Sequence, residues 1–88
     1  MHESGLIQDL IEKVEKLVRD HGGRRAVSIQ VRLGPLAAIQ PDHLRDHFEM
    51  AAAGTLAEGA VLSITNSEDL GGPDPVGVVL ESVEIETE

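Results

Sequence analysis

Apolar residues change their period along this chain, and each change marks an element. Leu6, Leu10, Val14 and Leu17 recur at the spacing of one helix face, and Ile7, Ile11 and Val18 widen the stripe. The pattern predicts a helix over residues 4–21, capped at Ser4 or started nearer Glu3. Lys16 and Arg19 suit its negative C-terminal end, and Gly22-Gly23 ends it. The period then falls to two. Val27, Ile29, Val31 and Leu33 alternate with Ser28, Gln30 and Arg32, the pattern of a half-buried strand. Gly34-Pro35 breaks that strand. Pro41-Asp42 opens a second helix, whose buried stripe is expected to be Leu44, Phe48 and Ala51, with Gly54 as its stop. Ala60, Leu62 and Ile64 alternate with Val61, Ser63 and Thr65 to predict a second strand. In the final segment Val78 and Leu80 share one parity, whereas Val83 and Ile85 share the other. An unbroken strand would send the two pairs to opposite faces, so a bulge is expected near Glu81-Ser82.

The order is therefore helix, strand, helix, strand, strand, an α+β domain over residues 1–88 with no internal repeat. Both helices are expected on one face of a small three-stranded mixed sheet, because few apolar residues remain to cover a second face. A right-handed crossover through the second helix would make the first two strands parallel, with the third antiparallel to its partner. The 88 residues suffice for one domain, and the 41% hydrophobic share supports a core. Phe48 is the single aromatic residue, so that core must be aliphatic.

Cysteine is absent, which removes disulfides, thiolate nucleophiles and thiolate metal ligands. No basic-then-apolar leader opens the chain and no apolar run approaches membrane-spanning length, so the cytoplasm is the expected place. The formal net charge of −9 disfavours nucleic acid and anionic membrane surfaces, and favours cations and basic partner surfaces. The alternate acids of residues 81–88 read as the solvated face of a strand.

Candidate chemistry begins at Met1-His2-Glu3. A histidine in second place brings together the Met1 amine, the His2 amide and the His2 imidazole. A deprotonated amide joined to those two nitrogens makes a fused chelate suited to a square-planar ion, nickel or copper(II). The chelate needs Met1 as the true terminus, and the bulk of His2 argues against removal of Met1. On position alone a frayed, solvated terminus remains the ordinary reading. His43 and His47 stand four apart on the second helix, as two helical ligands would, and Asp42 and Asp46 repeat that spacing one residue earlier. No third convergent ligand accompanies them, so a polar helix flank beside Leu44 and Phe48 is the favoured reading. His21 precedes a glycine at a helix end, where a capping role is favoured over metal ligation. Gly71-Gly72-Pro73-Asp74-Pro75 lacks the lysine and the strand–helix setting of a phosphate loop. The serines Ser4, Ser28, Ser63, Ser67 and Ser82 have no recognisable nucleophile setting. The chain thus reads as a non-enzyme with no catalytic residues.

These segments together resemble a known family, the HypA (HybF) nickel chaperones of hydrogenase and urease maturation. The resemblance is carried by Met1-His2-Glu3 and the helix ending His21-Gly22. It continues through Val31-Arg32-Leu33-Gly34-Pro35-Leu36, Pro41-Asp42-His43-Leu44 and Phe48-Glu49. Gly54-Thr55-Leu56-Ala57-Glu58-Gly59-Ala60 and the closing Leu80-Glu81-Ser82-Val83-Glu84-Ile85 complete it. Individually modest, the motifs are specific in their order and spacing across nearly the whole chain.

The resemblance implies that His2 supplies an imidazole and that backbone amides around His2 and Glu3 help to hold nickel. Met1, His2 and Glu3 are accordingly the expected metal residues, with the Glu3 carboxylate a ligand, an orienter of His2 or a favourable charge at the helix start. It implies transient binding of nickel(II) and transfer to a hydrogenase maturation GTPase or a hydrogenase large subunit, the enzyme most expected being a nickel–iron hydrogenase. An alternative is a metal-independent interaction or regulatory module that keeps the scaffold. The family's zinc ribbon, with two Cys-x-x-Cys pairs, has no counterpart here, since residues 66–77 bridge its position without cysteine. No zinc is therefore expected, and roles tied to the ribbon do not carry over. Asp46 also departs from the family's tendency to an aromatic. Gly and Pro in the bridging stretch predict an exposed, comparatively mobile loop outside the nickel site. Amide hydrogen exchange is expected to show weak protection across residues 68–75, and strong protection throughout would identify a docked element instead.

Overall fold

A computed structural model of the protein describes residues 3–37, 39–67 and 77–87, with side chains from Gly5 onward. The elements are α1 (Glu3–Asp20), β1 (Arg25–Leu33), α2 (Pro41–Ala52), β2 (Val61–Asn66) and β3 (Val78–Glu86). The sheet order is β2-β1-β3, with β2 parallel and β3 antiparallel to β1. This is the expected mixed sheet.

One face of the sheet carries the core. Ala26, Ile29, Val31 and Leu33 of β1 and Leu62 of β2 are buried against Ile7, Leu10, Ile11, Val14 and Val18 of α1 and Leu44, Phe48 and Ala52 of α2. Both helices therefore cover the same side. Along α1 the centre of the apolar stripe lies on Ile7, Ile11, Val14 and Val18, while Leu6 and Leu17 are half-buried flanks. The other face is polar and cross-linked between strands. Ser28 Oγ donates to Glu84 Oε1 at 3.1 Å, Ser82 Oγ donates to Gln30 Oε1 at 3.1 Å, and Arg25 meets Glu86 at 3.2 Å.

Two register shifts keep apolar side chains on the covered side. Between Gln30 and Val31 of β1 the partner jumps from Ser82 to Leu80, so Glu81 is an extra residue in β3. Val78, Leu80, Val83 and Ile85 all pack against the core despite their mixed parity. The bulge thus falls where the sequence parity requires it. A second shift, between Ala26 and Ser28, makes Val27 an extra residue in β1. That one corrects the sequence reading: Ala26 takes the buried position and Val27 is only half-buried.

Each helix ends on a glycine in the left-handed region. Gly22 has φ 67°, and the Gly22 and Gly23 amides donate to the Arg19 and Val18 carbonyls, satisfying acceptors the helix leaves free. Lys16 Nζ donates to Asp20 at 2.9 Å, and this hydrogen bond and charge hold the Asp20 carboxyl below its ordinary value. α2 starts on Pro41, whose missing N–H costs nothing there. Its buried row runs Leu44, Phe48, Ala52, whereas Ala51 is exposed. The expected Ala51 gives way to Ala52 because the chain turns at Gly54 (φ 81°) and folds Ala57, itself fully buried, back into the core.

That turn is held from three sides. Thr55 Oγ1 donates to the Ala52 carbonyl at 2.7 Å, and the Gly54 amide donates to Glu58 Oε1 at 3.1 Å. The Leu56 amide donates to Glu15 Oε2 on α1 at 3.1 Å, while the Leu56 carbonyl accepts from the Ala26 amide of β1 at 2.8 Å. The Gly54–Ala60 segment is thus a junction between both helices and the central strand.

Gly23 allows a close approach between α1 and β3. A Cβ there would collide with Ile85 Cγ2 and lie 3.3 Å from Val18 Cγ1. Ile85 is β-branched and cannot swing its methyl aside cheaply. Gly23→Ala is therefore expected to destabilise the protein by about 1–3 kcal/mol, the usual range for overpacking. Urea unfolding at constant m-value measures this, and an unchanged midpoint would contradict the collision.

Candidate metal site

α1 begins at Glu3, and the expected terminal chelate sits at this end of the helix. Met1 and His2 lie outside the described residues, as does the Glu3 side chain. The backbone still says something about the chemistry. Amides in the first turn of a helix have no intrahelical acceptor, so Glu3 and its neighbours are not committed to the ladder. A backbone nitrogen must be uncommitted before it can lose its proton to a metal. The same helix end carries partial positive charge, which opposes a bound cation by roughly 0.3–1 kcal/mol. An acidic residue in that first turn, as Glu3 is, offsets it.

The other histidines are placed directly. His21 Nδ1 donates to the Leu17 carbonyl at 2.8 Å, and the His21 amide donates to the same oxygen at 3.1 Å. Its imidazole closes the C-terminus of α1, as the sequence position implied. His43 and His47 lie one above the other on α2, with ring centroids 4.4 Å apart and planes tilted by 42°. His43 is exposed and His47 half-buried. Asp42, one residue before the pair, is held by Arg45 Nη1 at 3.4 Å, while the same guanidinium reaches the Leu62 carbonyl of β2.

Among the described residues no group of three or more His, Asp or Glu side chains converges as a metal cage. An open groove lies between α1 and β3, lined by Lys13, Lys16, Leu17, Asp20, Val78, Val79 and Leu80, and contains no imidazole. Ser28 and Ser82 donate their hydroxyl protons across the sheet, to the Glu84 carboxylate and the Gln30 amide oxygen. No described helix is long and apolar enough to cross a membrane. The bridging residues 68–76 lie outside the described residues, but both ends of that connection are fixed. The Ser67 amide donates to the Leu33 carbonyl on one side of β1, and the Gly77 carbonyl accepts from the Gly34 amide on the other.

Comparison with known proteins gives a consistent picture. The family model described as hydrogenase/urease nickel incorporation, metallochaperone, HypA matches residues 1–70. The hydrogenase maturation factor HypA of Nitrosospira multiformis is 33% identical over 88 residues, covering 100% of this chain and 70% of the relative. That of Chlorobium limicola is 41% identical over 64 residues, covering 73% of this chain and 55% of the relative. The chain thus spans between about half and seven-tenths of the length of these relatives. In structure it is similar to the nickel metallochaperone HypA of Helicobacter pylori, with a TM-score of 0.83 over 100% of both chains at 16% identity. A second HypA solution structure gives a TM-score of 0.77 at 18% identity, covering 100% of this chain and 98% of the other.

The described core closes without any converging metal ligands. Chelator treatment of the chain with no metal added is therefore expected to leave the melting temperature within about 1 °C of its starting value, because no ion holds the described core together. A clear fall on calorimetric scanning would reveal a structural ion.

Proposed function

The chain belongs to the HypA family of hydrogenase/urease nickel-incorporation metallochaperones, and we propose that it binds nickel(II) transiently at its N-terminus and delivers it to a nickel enzyme during maturation. The observation that carries this reading is the match of Met1-His2-Glu3 to the opening of a family whose description is nickel incorporation. The Met1 amine, the His2 amide and the His2 imidazole supply nitrogen donors to a square-planar ion. Glu3 offsets the positive start of α1 and orients or ligates.

Such a site suits transfer. A terminal, few-ligand site leaves the ion accessible, so an acceptor can add its donors before those of His2 leave. A cage within the core would hold the ion against that exchange. The protein acts as a carrier and not as a catalyst, in the cytoplasm and without resident zinc. Its acceptor is a hydrogenase maturation GTPase or a hydrogenase large subunit, docked through surfaces that tolerate the acidic charge of −9.

The test is calorimetric nickel titration of a tag-free chain that starts at Met1. His2→Ala is expected to weaken binding at the terminal site by at least about 10-fold, the low end of what a lost metal-site partner costs. A Gly-Ser extension before Met1 is expected to weaken it too, because the primary amine becomes an amide. Binding should fall in mild acid, since every ligand must be deprotonated. If His2→Ala leaves nickel binding unchanged at every site, the terminal assignment fails, and if the parent binds no nickel the metal-independent module becomes the better reading.

A further inference from the structure

We propose that His43 and His47 form a second nickel(II) site, a two-imidazole chelate on the exposed flank of α2. It uses neither Met1, His2 nor Glu3, and rests on the proposed function only for the choice of nickel as the ion.

The ring spacing of this pair is compatible with a shared ion. A late first-row divalent ion holds an imidazole nitrogen at about 2.0–2.1 Å, and the ring centre lies roughly 1.1 Å farther out. Two imidazoles at right angles about one ion therefore have centres about 4.5 Å apart, whereas a tetrahedral angle opens them to about 5.2 Å. The rings of His43 and His47 have centroids 4.4 Å apart. They already stand at the spacing of adjacent positions around a square-planar or octahedral ion, the preference of nickel and copper(II) over zinc. Ordinary ring pairs pack with centres about 4.5–7 Å apart, so this separation lies just below that range.

The surroundings favour a cation. Asp42, Asp46 and Glu49 are exposed on the same helix, and the basic side chain nearest in sequence, Arg45, is turned toward Asp42 and the Leu62 carbonyl. Two ligands one helical turn apart on a folded helix are preorganised, because α2 is anchored by Leu44, Phe48 and Ala52 in the core. Among the described residues no third protein ligand converges on the pair. The remaining coordination positions fall to water or to an acceptor's side chains, so the ion is held loosely and can be exchanged. The pair thus offers a relay position for the ion that the terminal chelate carries.

The experiment uses the tag-free full chain, nickel(II) chloride as the probe, calorimetry for stoichiometry, and proton NMR of the imidazoles for location. In His2→Ala, one nickel-binding event is expected to remain, with the His43 and His47 ring signals shifting or broadening together. Adding His43→Gln to that background should weaken the remaining event at least about 10-fold, because a chelate becomes a single donor. His43 is exposed, so this variant tests the site even if His47→Gln disturbs the fold. In the parent, His43→Gln should leave the terminal event intact. A His2→Ala protein that binds no nickel at millimolar concentration would overturn the proposal. So would a remaining event that survives His43→Gln and His47→Gln together. A parent whose single binding event survives His2→Ala and is lost with His43→Gln would count against the terminal chelate and support the helical pair.

Discussion

Only one face of this sheet can be covered, and the rest of the structure follows from that constraint. Two helices supply enough apolar surface for a single layer, so each strand turns most of its aliphatic side chains to the same side, with Val61 of β2 left exposed. β1 bears most of the demand. It is the strand paired on both edges, and Ala26, Ile29, Val31 and Leu33 are all buried beneath α1 and α2. With one aromatic residue in the whole chain, the core lacks large rings to fill gaps and depends on close approach instead. The glycine at residue 23, the buried Ala57 and the turn pinned by Glu15 each serve that approach.

The bulges show the constraint acting on the backbone. β3 carries apolar residues on both parities, and a regular ladder would have exposed one pair. The extra Glu81 rotates the strand by one residue and returns both pairs to the core, leaving its own carboxylate to meet Arg32 at 3.5 Å on the polar side. This was legible in the sequence because the parity changes within one strand. The bulge at Val27 was not, because Ala26 is too small to register as a core position in a hydropathy pattern and Val27 completes a regular alternation. For the same reason Ala52 was missed in favour of Ala51: alanine does not announce its face, and the choice was made by the turn at Gly54, a tertiary effect. Element order, strand directions and the cap by His21 were readable, since each rests on local pattern or short-range bonding.

The chemistry was legible in a different way. Composition removed thiolate chemistry, and Ser28 and Ser82 bond across the sheet, but neither fact selects a metal. The proposed nickel site rests on the chelate that Met1-His2-Glu3 can form and on a match, starting at residue 1, to a family described as nickel incorporation. The spacing of His43 and His47 pointed to a shared helix face, whereas the ring separation on which the proposed chelate rests required coordinates.

Scaffold and cargo chemistry are separable in this design. The central strand ends with β2 and β3 leaving from opposite sides of Leu33 and Gly34, so the connection between them starts and finishes outside the core. A longer insert at that point adds little closure entropy, because the loop cost grows only logarithmically with length. Nor does it disturb the parity of any strand. The family's ribbon can thus be present or absent without rebuilding the helices, the sheet or the start of α1. A terminal site needs from the fold only a rigid helix to project from. The aliphatic core provides that rigidity without converging metal ligands among the described residues, so an ion held as proposed at the terminus would not carry the stability of the fold.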